Sequence, residues 1–351
     1  MPALRTLDPN PVVPSMLQRY LLELDNNLTN MLSQGNPSLL KMLHYHMGWV
    51  NRDGLPTKGV LGKGMRPALC LFTCEALGGS LLHAMPAAVA LELVHNFSLI
   101  HDDIQDGDEE RHSRPTLWAV WGQGKALIAG NLMRTIADLS LLQSDENVIN
   151  VRKNVGALII LTGKYLEMIE GQYLDLSFES RLDVSPGEYL EMIGKKTAAL
   201  LDASMHIGAY FATDDLSKLI ALRHCGYNLG LAFQIRDDYL GVWGDEATVG
   251  KPVGTDIVRK KKSLPIAYTF NAAKTKLRTR LEQLYSQERL GMDCVSEVLT
   301  LMEDSGARAF TQNLAKEKSV EAMNWAKKAK LSESAQKEIE GLADFIVNRR
   351  N

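Results

Sequence analysis

Apolar residues recur at every third or fourth position along most of the chain, which is the period of α-helices with one buried face. The pattern predicts helices over residues 14–35, 86–107, 185–211, 217–241 and 333–350. Proline opens the first two, and a Ser-Pro pair caps the third at Ser185. Asn-Gly turns and long β-branched alternations, the usual signs of strands, are almost missing. The chain is therefore predicted to be all-α.

Domain organisation follows from the breaks between these helices. Short stretches of Gly, Pro and Asp separate them, but none resembles an interdomain linker, and no internal repeat appears. Several helices, including the one that ends near residue 107, are apolar on most faces and are expected at the centre of the fold. Residues 1–351 are therefore predicted to form one large helical domain.

Composition and charge exclude several classes of protein. The net charge of the 351 residues is −3. The sequence lacks the basic stripe with interleaved aromatic residues that would indicate nucleic-acid binding. The most apolar run, residues 154–163, has about half of the ~20 residues that span a bilayer, so no membrane span is expected. No CxxC pair occurs, and Cys70 and Cys74, at helical spacing, are expected to be buried. With no signal-peptide pattern at the amino terminus, the features predict a cytoplasmic protein.

A dense group of acids directly follows an apolar helix in "LIHDDIQDGDEERHSRPT", residues 99–116. Asp102 and Asp106 are four apart, so their carboxylates lie about 40° from each other around a helix axis and can reach one point. The two charges repel there unless a cation lies between them, and a few oxygen ligands suit Mg²⁺ completed by water and phosphate. Asp103 points about 100° away and is expected to back the site or to pair with a nearby basic residue.

A second acid pair ends another apolar helix in "FQIRDDYLGVWGDE", which contains Asp237 and Asp238, with Asp245 and Glu246 beyond. Either pair alone is typical of a solvated helix end. Two such pairs indicate carboxylates that hold cations around a polyanion such as a diphosphate, for which the chain also offers basic residues. The candidate basic residues are Lys63, Arg66, Arg111, Arg114, Lys195, Lys196, Lys251 and the run 259–262, most of which is typical of a solvated surface.

Six motifs occur in order between about residues 60 and 265: "GKGMRP", "ELVHNFSLIHDDIQDGDEERHSRPT", "EGQYLDLSFE", "GKKTAAL", "FQIRDDYLGVWGD" and "GKPVGTDIVRKKKSLP". On these motifs the chain resembles the trans-isoprenyl diphosphate synthases, or polyprenyl synthetases, of the short-chain geranylgeranyl and farnesyl type. The resemblance implies an isoprenoid synthase class I fold, a helical bundle around a central cavity with two Asp-rich helix ends facing each other at its mouth. It also implies a homodimer that joins isopentenyl diphosphate to an allylic diphosphate, head to tail.

The resemblance further implies a role for each matching residue. Asp102 and Asp106 would hold two Mg²⁺ ions and Asp237 a third, within a metal-site set of Asp102, Asp103, Asp106, Asp175, Asp237 and Asp238, backed by Gln172. The allylic diphosphate would contact Arg111, Lys196, Thr197, Gln234, Lys251 and Lys261. Isopentenyl diphosphate would be held by Lys63, Arg66, His95 and His112. The residues most directly engaged in the chemistry would be Asp102, Asp106, Lys196, Asp237 and Lys251.

The chain departs from the family pattern at three places. An Arg-Arg pair usually follows the first acidic motif, whereas here His112 follows Arg111, which puts the affinity for isopentenyl diphosphate in question or makes it pH-dependent. Position 241, often Asp in the second motif, is Gly. The family's Gly-Lys before "TLP" reads Lys260-Lys261.

Product length depends, in this family, on bulk at the fourth and fifth positions before the first Asp. Those positions are Ser98 and Phe97. One aromatic residue and one small residue there resemble the geranylgeranyl (C20) pattern, and farnesyl (C15) is the alternative. Because Phe97 lies about 140° from Asp102 around an ideal helix, its ring must lean across from the side or act through a packed neighbour, unless Phe97 is simply core.

Three other functions fit parts of the sequence. A class I terpene cyclase shares the fold and the first acidic motif, but it would leave Lys63 and Arg66 without a task and usually has a Ser four residues after the first acid of the second motif. A non-catalytic subunit of a heteromeric synthase would lack some acids of the two Asp-rich motifs, whereas both motifs keep most of their acids here. The pair His101-Asp102 also occurs in metal-dependent phosphohydrolases, but no further His and Asp ligands stand out.

Overall fold

The computed structural model describes residues 13–57, 64–142, 148–244, 255–287 and 290–349. Over these ranges the regular structure is helical except for one two-stranded hairpin and an isolated bridge between Val50 and Pro56. The prediction of an all-α chain is therefore confirmed.

The chain divides into two compact units, each made from two separate stretches of sequence. Unit 1 comprises Met1–Gly163 and Ala203–Ile220, and unit 2 comprises Lys164–Asp202 and Ala221–Asn351. The prediction that residues 1–351 form a single domain stays a prediction.

The elements before the middle of the chain are α1 (Ser15–Gln18), α2 (Leu21–Met31), α3 (Pro37–His46), α4 (Met65–Ala76), α5 (Leu81–Gln105), β1 (Glu110–Arg111), β2 (Arg114–Pro115), α6 (Leu117–Trp121), α7 (Gln123–Leu142) and α8 (Val148–Phe178). Those that follow are α9 (Pro186–Ile193), a π-helical segment (Gly194–Ala198), α10 (Ala199–Ala212), α11 (Leu216–Trp243), α12 (Thr255–Val258), α13 (Leu264–Ala272), α14 (Thr275–Tyr285), α15 (Met292–Asp304), α16 (Ala307–Lys328) and α17 (Glu333–Asn348).

In unit 1, α5 is the central helix and packs along both α4 and α7. Every residue from Ala87 to Val94 is buried, so this part of α5 is enclosed on all sides, as its apolar faces predict. The helix begins at Leu81 and not at Pro86. The predicted start is wrong because a proline near the amino-terminal end of a helix removes one hydrogen bond without ending the helix.

The predicted helices over residues 14–35 and 185–211 are each interrupted. The first breaks at Arg19 and Tyr20, between α1 and α2. The second begins as expected at Ser185, whose hydroxyl accepts the Glu188 amide (3.2 Å) while the Glu188 carboxylate accepts the Ser185 amide (2.9 Å). It then widens into the π-helical segment before it continues as α10.

The core of unit 2 forms around α13, which packs against α9, α15 and α16. One apolar cluster joins Tyr189 and Ile193 of α9 to Leu231 and Ile235 of α11. A second cluster holds α13, α14 and α15 together through residues that include Phe270, Leu281 and Val298.

The cysteines and the membrane prediction can be checked against the same ranges. Cys70, Cys74 and Cys225 are buried free thiols, as expected for the first two, and burial raises the pKa of Cys225 to about 12. None of the helices in the described ranges has both the length and the apolar run that crossing a bilayer takes.

Candidate functional site

The first acidic motif stands at the carboxyl end of α5, in unit 1. Asp102 and Asp103 lie in the last turn, and Asp106 caps it through an amide that donates to the Asp102 carbonyl (2.8 Å). The last turn contains no basic residue of its own. Because the carboxyl end of a helix carries partial negative charge, these carboxylates are disfavoured unless cations come from elsewhere. The position of the motif therefore itself requires positive charge.

Part of that charge comes from the hairpin β1–β2. The side chain of Asp103 is 3% exposed, and its Oδ1 accepts the Nε–H of Arg111 at 2.7 Å. Burial raises the pKa of the Asp103 carboxyl to about 6 against the opposing charge of Arg111, and Asp108 and Asp102 raise it further. The expected pairing of Asp103 with a nearby basic residue is confirmed, and its metal-binding role stays a prediction.

The turn of this hairpin contains the family departure at His112. His112 and Ser113 have positive φ angles of 51° and 57°, the backbone of a two-residue turn that glycine or asparagine usually occupies. Sequence patterns missed the hairpin because neither residue is typical of such a turn. The turn exposes the imidazole of His112 beside Arg111.

Histidine and arginine side chains from three parts of unit 1 converge close to this hairpin. Burial lowers the pKa of His95 well below its usual value, and the charges of Arg66, Arg111, His46 and His112 lower it further. Burial likewise lowers the pKa of His46 to about 3, assisted by Arg111 and opposed by a hydrogen bond to Asn96. The two imidazoles are therefore neutral at pH 7 within a positive field, which is a suitable receptor for a multiply charged anion.

The described part of the predicted isopentenyl diphosphate set, namely Arg66, His95 and His112, is thus brought together, whereas Lys63 lies outside the described residues. Sequence reasoning missed His46, because its neighbours in space are about fifty or more residues away along the chain and no local pattern marks it. Arg114, a candidate cation, donates to the carbonyls of Tyr45 (3.2 Å) and Val50 (3.1 Å) and so fixes the hairpin.

In unit 2, the motif "GKKTAAL" forms the π-helical segment Gly194–Ala198. A Cβ at Gly171 of α8 would lie 2.2 Å from the Lys196 amide nitrogen, and one at Gly230 of α11 would lie 2.5 Å from the Ala198 Cα. Only glycine permits this close approach of α8 and α11 to the widened turn. π-helical turns occur frequently at functional sites, so this segment indicates that the positions of Lys196 and Thr197 matter for function.

Two predicted diphosphate ligands project from this segment. Lys196 Nζ lies 2.5 Å from Asp175 Oδ2, near the carboxyl end of α8. The hydroxyl of Thr197 donates to Gln234 Oε1 at 3.0 Å. The segment therefore brings Lys196, Thr197, Asp175 and Gln234 together, as the motifs imply, while their roles stay predictions.

Asp238 is buried and bonded within unit 2. Its Oδ1 accepts from Gln234 Nε2 (3.1 Å), and its Oδ2 accepts from the Leu264 amide (3.1 Å). Burial raises the pKa of Asp238 to about 7, while Tyr189, these hydrogen bonds and the charge of Lys261 oppose that shift. Oδ1 is bonded within α11 and Oδ2 connects α11 with α13, and a metal-binding role for Asp238 stays a prediction.

The run 259–262 is only partly solvated. Arg259 and Lys261 are exposed, whereas Lys262 is 7% exposed and lies over the Tyr285 ring at 5.3 Å. Lys260, which stands where the family has glycine, has a φ of 52° and donates to the Tyr285 carbonyl (3.0 Å). The left-handed backbone gives the physical reason for glycine at that position. Lys251, Asp245 and Glu246 lie outside the described residues.

The two chain-length candidates lie on α5. Phe97 is 6% exposed, and its ring meets the His101 ring nearly edge to face, with centroids 4.7 Å apart. Ser98 donates from its hydroxyl to the His95 carbonyl (2.7 Å) and is half-buried. His101 is thus the packed neighbour through which the bulk of Phe97 can act.

The carboxylates of the first acidic motif fit Mg²⁺ as oxygen donors. Among the residues that the structure describes, no three His, Cys, Asp or Glu side chains gather into a ready-made metal site. Mg²⁺ is usually bound through one or two carboxylates, with waters and substrate phosphates as its remaining ligands. Oxygen donors at the carboxyl end of α5, where helix charge favours cations, agree with that mode of binding.

Acidic helix ends, with arginine and neutral histidine side chains close to one of them, are typical of proteins that bind polyanions together with cations. The family model for polyprenyl synthetase matches residues 57–302, and the chain belongs to that family. It is 37% identical over 327 residues to a (2E,6E)-farnesyl diphosphate synthase of Mycobacterium tuberculosis, covering 92% of this chain and 89% of the other. It is 35% identical to a geranylgeranyl diphosphate synthase of the same organism, over 87% and 86% of the two chains.

The fold is similar to that of solved members. The crystal structure of a polyprenyl synthetase from Streptomyces coelicolor superposes with a TM-score of 0.87 at 34% identity, over 95% of this chain and 98% of the other. The isoprenoid synthase class I fold implied by the motifs is confirmed.

The basic field of unit 1 generates a prediction for His112→Arg. The substitution should tighten binding of inorganic pyrophosphate by about tenfold, because a hydrogen bond to a charged group contributes about 1.5–3 kcal/mol. The gain should grow from pH 6 to 8.5, since histidine loses its charge over that range and arginine does not. Calorimetric titration without divalent cations measures the affinity. His83→Arg is the matched control, because it adds the same charge at an exposed position of α5 about 18 Å from His95. Equal affinities for wild type and His112→Arg across this range would remove His112 from the anion site.

Proposed function

We propose that the protein is a Mg²⁺-dependent short-chain prenyl diphosphate synthase, which joins isopentenyl diphosphate to an allylic diphosphate. The observation that carries the proposal is the group formed by Arg66, His46, His95 and Arg111 beside the acidic end of α5. The names of its relatives, farnesyl and geranylgeranyl diphosphate synthase, support a short-chain product. The cytoplasmic location that the sequence predicts is part of the proposal.

Isopentenyl diphosphate is assigned to the basic group of unit 1. Arg66 and the neutral imidazole of His95 bind its diphosphate, together with His112 and Lys63. A neutral imidazole can donate one hydrogen bond to a phosphate oxygen without adding charge, and the surrounding arginines supply the attraction. Binding holds isopentenyl diphosphate in place before the reaction and so lowers the entropic cost of bringing the two substrates together.

The allylic diphosphate is assigned to residues of unit 2. Lys196, Thr197 and Gln234 are held together around the π-helical segment, with Lys251 and Lys261 as further contacts. Lys196 Nζ lies 2.5 Å from Asp175 Oδ2. When the substrate binds, the Lys196 ammonium would donate to phosphate oxygens in place of this carboxylate. Such point charges stabilise the negative charge that develops on a departing diphosphate.

Three Mg²⁺ ions are assigned to carboxylates of the two acidic motifs. Asp102 and Asp106 hold two of the ions and Asp237 holds the third, with Asp103, Asp175 and Asp238 as further acids of the site. When bound, Mg²⁺ neutralises charge on the leaving diphosphate and so promotes breakage of the allylic C–O bond.

The chain's own residues then control the fate of the allylic cation. The double bond of isopentenyl diphosphate attacks the cation, and the released diphosphate takes the proton that is lost. Water would capture the cation, so it must be excluded, and the enclosed apolar turns of α5 before Asp102 suit that task.

Removal of the first acid tests the metal assignment. Asp102→Ala should lower condensation by about a thousandfold, the loss typical when a stabiliser of developing charge is removed. The fold should be retained, because the change relieves repulsion between acids. Incorporation of labelled isopentenyl diphosphate with each allylic primer measures the rate, and circular dichroism measures the fold.

Asp53→Ala, at an exposed acid of unit 1, is the control and should keep wild-type activity. Activity of Asp102→Ala within tenfold of wild type would contradict the assignment. The same assay separates the alternatives. A terpene cyclase releases a hydrocarbon and does not consume isopentenyl diphosphate, whereas a non-catalytic subunit forms no product from either substrate.

The proposed main product is geranylgeranyl diphosphate. The support is the arrangement of Phe97, which packs edge to face on His101, next to the small Ser98. Phe97→Ala should extend the product past C20, because it removes the ring that limits the growing tail. Ser98→Phe should shorten it toward C15, because it adds a second ring one turn before Asp102.

Chromatography of the dephosphorylated products measures the distribution, and total incorporation is followed in parallel. Phe97→Leu, which keeps most of the bulk, should shift the distribution less than Phe97→Ala. Unchanged distributions for both Phe97→Ala and Ser98→Phe would place the limit on another helix.

A homodimer is the proposed assembly. In unit 1, Val151, Val155 and Ile159 are exposed and spaced by four, so they form an apolar stripe on α8, and Leu127 and Ile128 are exposed on α7. Exposed apolar surface of this kind is typical of an interface between subunits. Sedimentation equilibrium should give twice the chain mass, and Ile159→Glu should shift it toward one chain; a wild-type monomer would contradict the proposal.

A further inference from the structure

Arg349, the residue that directly follows α17, is anchored on α11 at the second acidic motif. Arg349 is 6% exposed, and its guanidinium forms an ion pair with Asp237 Oδ1. The same Nη2 donates to the Phe233 carbonyl at 3.0 Å, and the guanidinium lies over the Phe233 ring at 4.0 Å. A charge-assisted bond, a carbonyl and an aromatic face therefore hold one side chain in place.

The anchor is reciprocal. Arg236, the residue before Asp237, donates from Nε (3.1 Å) and Nη2 (2.7 Å) to the carbonyl of Arg349. The amide of Arg349 in turn donates to the Phe345 carbonyl of α17 (2.9 Å). Both the backbone and the side chain of Arg349 are thus specified, which distinguishes this contact from an exposed surface ion pair.

The pair has a consequence for cation binding at Asp237. The carboxylate side chain is 40% exposed, so it remains open to a cation even though Oδ1 is bonded to Arg349. A guanidinium and a divalent cation on one carboxylate would lie only a few Å apart and would repel each other strongly. The two cations should therefore exclude each other or weaken each other's binding.

We infer that Arg349 is a resident counter-ion of Asp237 that competes with the divalent cation, so that cation binding at the second acidic motif releases Arg349 from α11. The inference rests on the proposed role of Asp237 as a cation ligand. It adds a positioning residue, Arg349, which none of the six sequence motifs contains, and it connects the cation affinity of unit 2 to the anchoring of that residue.

Direct binding of Mn²⁺ tests the competition without turnover. The binding is measured as the loss of the electron paramagnetic resonance signal of free Mn²⁺. Arg349→Gln should tighten the affinity of the full-length protein for Mn²⁺ by about tenfold, within the range usual for two opposing ligands. Arg280→Gln is the matched control, because it also removes an arginine from an ion pair of unit 2, with Glu297, and should change nothing.

The background Asp237→Asn identifies the site of the effect. In that background, Arg349→Gln should no longer alter Mn²⁺ affinity, because the carboxylate for which the two cations compete is gone. Equal Mn²⁺ affinity for wild type and Arg349→Gln overturns the inference. Equal tightening in the Asp237→Asn background overturns it as well, since the effect would then be one of net charge.

Hydrogen–deuterium exchange of the wild-type protein provides a readout that does not depend on a folded variant. Mn²⁺ should speed exchange of the Arg349 amide, because the anchor is released, and it should not do so in Asp237→Asn. Unchanged or slower exchange overturns the inference. Both readouts are independent of condensation, so activity without competition contradicts only this inference, and competition without activity contradicts only the proposed function.

Discussion

Charge compensation at the carboxyl ends of long helices is the constraint on which each unit depends. Asp103 lies in the last turn of α5 and Asp175 lies close to the end of α8, where the helix itself carries partial negative charge. Each is matched by a basic side chain from a different element, Arg111 for Asp103 and Lys196 for Asp175. Without these partners the two carboxylates, which have little exposure to water, would destabilise their helices.

The same compensation makes each unit suited to polyanions and cations. A basic residue that is already bonded to a carboxylate can transfer its hydrogen bonds to phosphate, while the carboxylate accepts a metal ion in exchange. Binding in such a site exchanges partners and does not bury new isolated charges, which would be costly. The neutral imidazoles of His46 and His95 extend the anion receptor without adding to the repulsion among the arginines.

Much of the frame and part of the site could be predicted because their signals are local. Apolar periodicity located α5 and α11, the Ser-Pro pair located the start of α9, and the spacing of Asp102, Asp103 and Asp106 indicated which acid points away. The starting residue of α5 could not be read from Pro86, since one missing hydrogen bond is offset by the packing of the rest of the helix.

The sequence by itself determined the helical class, the acidic motifs and the family, because each depends on residues a few positions apart. Only the tertiary structure decided which groups meet. His46 reaches the field around His95, and Arg349 reaches Asp237, across more than forty and more than one hundred positions. The π-helical turn at Lys196 likewise depends on the approach of Gly171 and Gly230. Such contacts are set by the packing of distant helices, which a local pattern of residue types does not encode.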